Sequence, residues 1–117
     1  MNKPKIINLE ELLSRFANDR AFVDELLESY KSDVSSDLPT LEKAVKERDA
    51  AKIIAIAHGL KGISANMVME PMREVFLRLE MTAKGNLTEK APELFEEIKA
   101  LLEQFEEEFE ALGNGAS

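Results

Sequence analysis

His58 is the chain's only histidine, and it stands in the stretch Ala57-His58-Gly59-Leu60-Lys61-Gly62-Ile63-Ser64-Ala65-Asn66. Neutral imidazole has a nitrogen lone pair available near pH 7, and a phosphorylated ring nitrogen remains a good phosphoryl donor. An imidazole facing water, with Lys61 three residues on and Gly62 four residues on, can therefore take and give a phosphoryl group. On a helix the i+3 spacing brings the Lys61 ammonium beside the ring, where it can stabilise charge on the equatorial phosphoryl oxygens.

The helix that carries His58 sets which way the ring points. Ile53, Ile56, Leu60, Ile63 and Met67 recur at spacings of three and four, the helical period. At roughly 100° per residue they fall in a sector of about 80°, and His58 lies about 170° from its centre. Its neighbours one turn away are Ile54 and Ala55 on one side, Lys61 and Gly62 on the other; Ala51 and Ala65 extend the same face. Small and apolar residues turned outward predict a docking surface, with Ile54, Ala55, Gly62 and Ala65 as its contact residues.

Each mid-helix glycine costs about 1 kcal/mol relative to alanine. Gly59 and Gly62 lie within four residues of each other and ask for a reason. At Gly62, on the outward face, the reason is room for a partner beside the ring; the competing reason is close helix packing or a local bend. At Gly59, nearer the flank, the two readings stand level.

A chain of 117 residues is one domain with one core, here residues 1–112, followed by a flexible tail over 113–117. Its 44% hydrophobic residues include no long apolar run, so no membrane span is expected, and no secretory signal follows Met1-Asn2-Lys3-Pro4-Lys5. With no cysteine, disulfides and thiolate metal sites are excluded, and a cytoplasmic location is the default. A net charge of −8 argues against nucleic acid or an anionic membrane as partner.

The elements that position His58 are helices throughout, with no strand pattern and no internal repeat. Asn8 followed by Glu11 is a capping-box pattern opening a short helix through about Phe16. Asp19 caps a second, with Phe22, Val23, Leu26, Leu27 and Tyr30 as its stripe. Pro39 either kinks one long helix or starts a new one capped near Ser36 or Asp37; Leu38, Leu41, Ala44 and Val45 keep the period beyond it. Asp49 caps the His58 helix, which runs to about Met67. Pro71 marks the first turn of another, with Met72, Val75, Phe76, Leu79 and Met81 inward and Gly85 at its end. Thr88 caps the last, with Leu94, Phe95, Ile98, Leu101, Leu102, Phe105, Phe109 and Leu112 as its apolar face. The Glu-rich run from Glu103 to Glu110 reads as a solvated face. Short connections favour antiparallel neighbours, so the expected fold is all-α: an antiparallel four-helix bundle with a short additional N-terminal helix.

Ala57, His58, Leu60, Lys61, Gly62, Ser64 and Asn66 resemble the motif of the histidine-containing phosphotransfer (HPt) family of two-component phosphorelays. The resemblance extends to the Asn8–Leu13 start, the acidic second helix with Pro39, the Asp49 cap and the closing amphipathic helix. One departure stands after Asn66-Met67, where members often continue with Gly-Ala and this chain has Val68-Met69, which bears on the end of the His58 helix and its turn toward Pro71.

The resemblance implies that His58 accepts a phosphoryl group from an aspartyl phosphate on a response-regulator receiver domain and passes it to another receiver. The kinase side of such a relay would be a hybrid sensor histidine kinase. No carboxylate cluster in the sequence around His58 suggests a metal site, so Mg²⁺ and the acceptor aspartate are expected on the partner, with no cofactor in this chain. The chain would then be a phosphoryl carrier without independent turnover, and a monomer by default. A haem or metal role using Met67 or Met69 would need further ligands, and methionines at core spacing usually fill gaps. The alternative from another class is a helical adaptor docking a partner through the face around His58, without chemistry.

Overall fold

The computed structural model describes residues 4–115, with side chains through Gly113, and all regular structure among them is helical. The order is α1 (Leu9–Arg15), α2 (Arg20–Lys46), α3 (Ala50–Asn66), α4 (Glu70–Lys84), a 3₁₀ turn over Thr88–Lys90 and α5 (Ala91–Gly115). α2 packs on α3, α3 on α4, α4 on α5 and α5 back on α2, so the four long helices close a ring; α1 packs on α2. Helix α5 runs to Gly115, through the first residues assigned to a flexible tail; residues 116 and 117 lie outside the described ones.

The helix starts are local. The side chains of Asn8, Asp19 and Asp49 accept hydrogen bonds from the N–H groups of Glu11, Phe22 and Lys52 at 3.1, 3.0 and 3.2 Å, satisfying donors that a first turn leaves open. The Glu11 carboxylate pairs with Arg15 one turn on. α4 starts without a side-chain cap and has Pro71 in its first turn, where a missing N–H costs nothing. Thr88 makes no cap for α5: it opens the 3₁₀ turn instead, and α5 begins three residues later.

The helix ends follow one plan. After α2, α3 and α4 the chain places Arg48, Val68 and Asn86 at φ of 53°, 54° and 63°. Beside each, the N–H of the next residue reaches five residues back: Asp49 to the Ala44 carbonyl, Met69 to Ser64, Leu87 to Thr82. These are Schellman ends, which satisfy carbonyls the last turn leaves open. At the end of α4 the left-handed residue is Asn86; Gly85, the expected terminator, keeps a right-handed φ of −80°.

Pro39 lies inside α2, and the helix runs through it from Arg20 to Lys46. Pro39 is exposed, so the carbonyl it leaves without a donor lies on the solvent side. The core is built from Leu12, Val23, Leu27, Tyr30, Val34 and Leu41 with Ile53, Leu60, Met72, Phe76, Leu79, Ile98 and Phe105, all nearly inaccessible. Each such large side chain contributes about 1.5–3 kcal/mol of transfer free energy. Two residues assigned inward stand out in solvent. Phe22 is exposed and meets Phe16 edge-on at 5.7 Å, and Met81 is 58% exposed. In place of Met81, the α4 residue turned inward is Glu80.

Candidate functional site

Helix α3 buries Ile53, Ala57, Leu60 and Ser64, with Met67 closing the seam at its end. At about 100° per residue this seam is centred on Ile53, about 40° from the centre of the apolar set read from sequence. Ile56 and Ile63 are only half-buried, because they sit on the flank toward α2. The rotation leaves His58 about 140° from the seam, outward but turned toward α4, and puts Lys61 on the flank that α4 covers. Ser64 drives part of this rotation: its hydroxyl is buried, 2.7 Å from the Tyr30 hydroxyl and 2.7 Å from the Leu60 carbonyl.

The His58 side chain is 69% exposed, and its Nδ1 lies 3.0 Å from Oε2 of Glu80 on α4. Lys61 Nζ donates to Glu80 Oε1 at 2.7 Å, and Lys84 Nζ lies 3.1 Å from Glu80 Oε2. The Glu80 side chain is 3% exposed, so a nearly buried carboxylate gathers an imidazole and two ammonium groups. Donation from Lys61 holds its pKa down to about 2, against the pull of burial, with Lys84 and His58 adding to the effect.

An ionised carboxylate only accepts hydrogen bonds, so the proton facing it must sit on His58 Nδ1. In the neutral ring, Nε2 then carries the lone pair. Nothing in the local sequence announces Glu80, 22 residues away. The available signal was its spacing: an acid among Phe76, Leu79 and Ala83 falls on the inward side of α4, where a charge requires a partner.

Among the docking residues, Ala55, Gly62 and Ala65 are exposed and Ile54 is half-buried against the core. A Cβ built at Gly59 or Gly62 meets nothing within 4 Å, so no helix packing inside this chain requires either glycine. Gly59 faces α2 across a shallow hollow lined by Asp33, Ser36, Asp37 and Ile63. The Glu-rich run of α5 is not wholly a solvated face. Glu108 is partly buried and accepts hydrogen bonds from the N–H groups of Ile6 and Ile7 at 3.0 and 2.9 Å.

Val68, where the chain departs from its resemblance, is the left-handed residue that ends α3. The turn it forms delivers Met69, fully buried, to the start of α4. The departure therefore leaves α3 ending at Asn66 with His58 well inside the helix.

No helix among the described residues is long and apolar enough to cross a membrane. No solved structure matches the chain significantly. The chain is similar to the phosphorelay intermediate protein rdeA of Dictyostelium discoideum, 31% identical over 86 residues, which are 74% of this chain and 34% of that protein. It thus spans about a third of the length of the relative it matches. The family model of the Hpt domain matches residues 25–108, from the second turn of α2 into α5 and including His58, Lys61, Glu80 and Lys84, and the chain belongs to the Hpt domain family.

Proposed function

We propose that this chain is a histidine phosphotransfer module of a two-component phosphorelay and that His58 is its phosphoryl acceptor. The observation that carries the reading is an exposed imidazole whose Nδ1 is held by an ionised, nearly buried carboxylate. The ring is thereby locked in one tautomer with its nucleophilic nitrogen toward solvent. The ring of four packed helices, read as an antiparallel bundle, serves as a rigid mount for it.

In the transfer, the Nε2 lone pair attacks phosphorus of an aspartyl phosphate on a receiver domain. The P–N bond forms as the P–O bond breaks, and the electron pair leaves with the aspartate carboxylate. The ring gains positive charge, which the Nδ1–H···Glu80 hydrogen bond offsets. Reversal onto a second receiver uses the same atoms. Lys61 stabilises charge on the phosphoryl oxygens. Gly62, Ala55, Ala65 and the exposed edge of Ile54 admit the receiver. Mg²⁺ belongs to the receiver, and the chain is a carrier rather than an enzyme, working as a cytoplasmic monomer between a hybrid kinase and response regulators.

The test is transfer of ³²P from phosphorylated receiver domains, with acid lability as the signature of phosphohistidine. His58→Gln should take no label while its melting temperature holds, since substitution of so exposed a residue shifts stability by only about 0.5 kcal/mol. A labelled and folded His58→Gln chain would refute the assignment.

A further inference from the structure

Lys61 has two claims on its charge. The phosphoryl group requires it, yet in the structure its ammonium is donated to Glu80 at 2.7 Å, and its side chain is only 25% exposed. If Lys61 simply left, a carboxylate that is 3% exposed would lose its shortest hydrogen bond just as a dianionic group arrives on the adjoining ring. Leaving a buried charge uncompensated is costly, so Glu80 would retain Lys61 unless another cation held it.

Lys84 is placed to be that cation. It lies one turn beyond Glu80 on α4, 3.1 Å from Oε2, while Lys61 occupies Oε1. We infer that Lys84 is a positioning residue: its ammonium stays on Glu80 and releases Lys61 to the phosphoryl group on His58. The inference rests on the reading of His58 as phosphoryl acceptor.

Charge bookkeeping supports it. With neutral His58, the group of Glu80, Lys61 and Lys84 carries a net charge of +1, inside a chain of net charge −8. Transfer puts a dianionic phosphoryl group and one positive charge on the His58 ring, which takes that local balance to 0 with Lys84, and to −1 without it. The bland account of Lys84 is a cation in the last turn of α4, favoured there by the helix dipole. That account gives Lys84 no influence on His58.

A partner-free phosphodonor separates this role from docking. With phosphoramidate, the P–N bond to ammonia breaks, ammonia leaves, and the new P–N bond forms at His58 Nε2. Phosphorylation of the full chain is followed by ³¹P NMR at saturating phosphoramidate. Lys84→Met should lower the maximal rate about fivefold, the scale on which one partly exposed ion pair acts. Lys84→Arg should restore it.

The decisive comparison uses Glu80→Gln, whose neutral amide no longer retains Lys61. The ratio of rates between Glu80→Gln and Glu80→Gln/Lys84→Met should be close to one. A wild-type rate in Lys84→Met, an effect on apparent affinity alone, or a Lys84→Met defect that persists in the Glu80→Gln background would each overturn the inference. A wild-type chain that takes no label at His58 would instead remove the underlying reading, and this inference with it. Lys84 is 53% exposed, so the Lys84 variants should fold as their parent chains do.

Discussion

The hydroxyls of Tyr30 and Ser64 lie 2.7 Å apart in the core, joining α2 to the inward side of the helix that presents His58. Burial pushes the Tyr30 hydroxyl far above its usual pKa, so it stays neutral and can donate or accept. Ser64 also donates to the Leu60 carbonyl one turn back, which makes Tyr30 the natural donor to Ser64. The two substitutions should therefore differ. Tyr30→Phe removes one hydrogen bond and leaves Ser64 still paired, at a cost of about 0.5–1.5 kcal/mol. Ser64→Val strands a buried Tyr30 hydroxyl and should cost about 1–3 kcal/mol. Urea denaturation of both variants checks the order, and the reverse order would show that the pair does not hold the two helices in register.

Acid should weaken the fold through Glu80. The hydrogen bond from Lys61 holds the Glu80 carboxyl down to about 2 in the folded chain, well below the ordinary glutamate value of 4.5. A depressed folded pKa contributes stability above the unfolded value and loses it as pH falls through the folded one. The Glu80 contribution should thus be complete above about pH 5 and decline between about 4.5 and 2. Thermal melts of wild type and Glu80→Gln across that range should converge as the pH drops. Parallel curves would mean that Glu80 is no more acidic folded than unfolded.

Two positions, one inside α3 and one just past its C-terminal end, should rank glycine and alanine in opposite orders. Gly62 has open space at its Cβ and right-handed helical backbone, so Gly62→Ala should stabilise by up to about 1 kcal/mol. Gly62→Gln should also be at least as stable as wild type, yet bind and phosphorylate poorly because its side chain stands beside the ring. Val68 sits at φ 54°, a region that penalises a Cβ by about 1–2 kcal/mol. Among Val68 variants, glycine should therefore exceed alanine by about 1 kcal/mol. Equal transfer in Gly62→Gln would remove the idea that position 62 is kept clear for a partner.

Glu108 should matter more than its place in an acidic run suggests. Its carboxylate accepts from the N–H groups of Ile6 and Ile7, whose side chains are buried, and from Gln104 Nε2 at 2.8 Å. Gln104 also donates to the Pro4 carbonyl. Glu108→Ala should cost about 1–3 kcal/mol by leaving those backbone donors unpaired. Amide hydrogen exchange should show protection lost at Ile6 and Ile7 specifically. Unchanged exchange at both would mean that the side chains of Ile6 and Ile7, rather than Glu108, hold the N-terminal segment to α5.

The sequence by itself determined what depends on near neighbours. Caps at Asn8, Asp19 and Asp49 act on N–H groups three residues away, and the apolar period of α5 needs no partner to be legible. His58 could be placed outward for the same reason: a helical period turns residues by a constant angle. The tertiary structure decided what depends on how helices pack. Ser64 looks polar and outward-tending by type, but Tyr30 gives its hydroxyl a buried partner, and the inward seam of α3 shifts toward Ala57 and Ser64. That shift of about 40° turns His58 and Lys61 to meet Glu80. Glu80 on α4 meets His58 and Lys61, and Glu108 meets Ile6 and Ile7, across 19 to 102 residues of chain. No local periodicity encodes such a distance, because it is set by the contact of whole helix faces, and a carboxylate becomes part of the site only when that contact removes it from water.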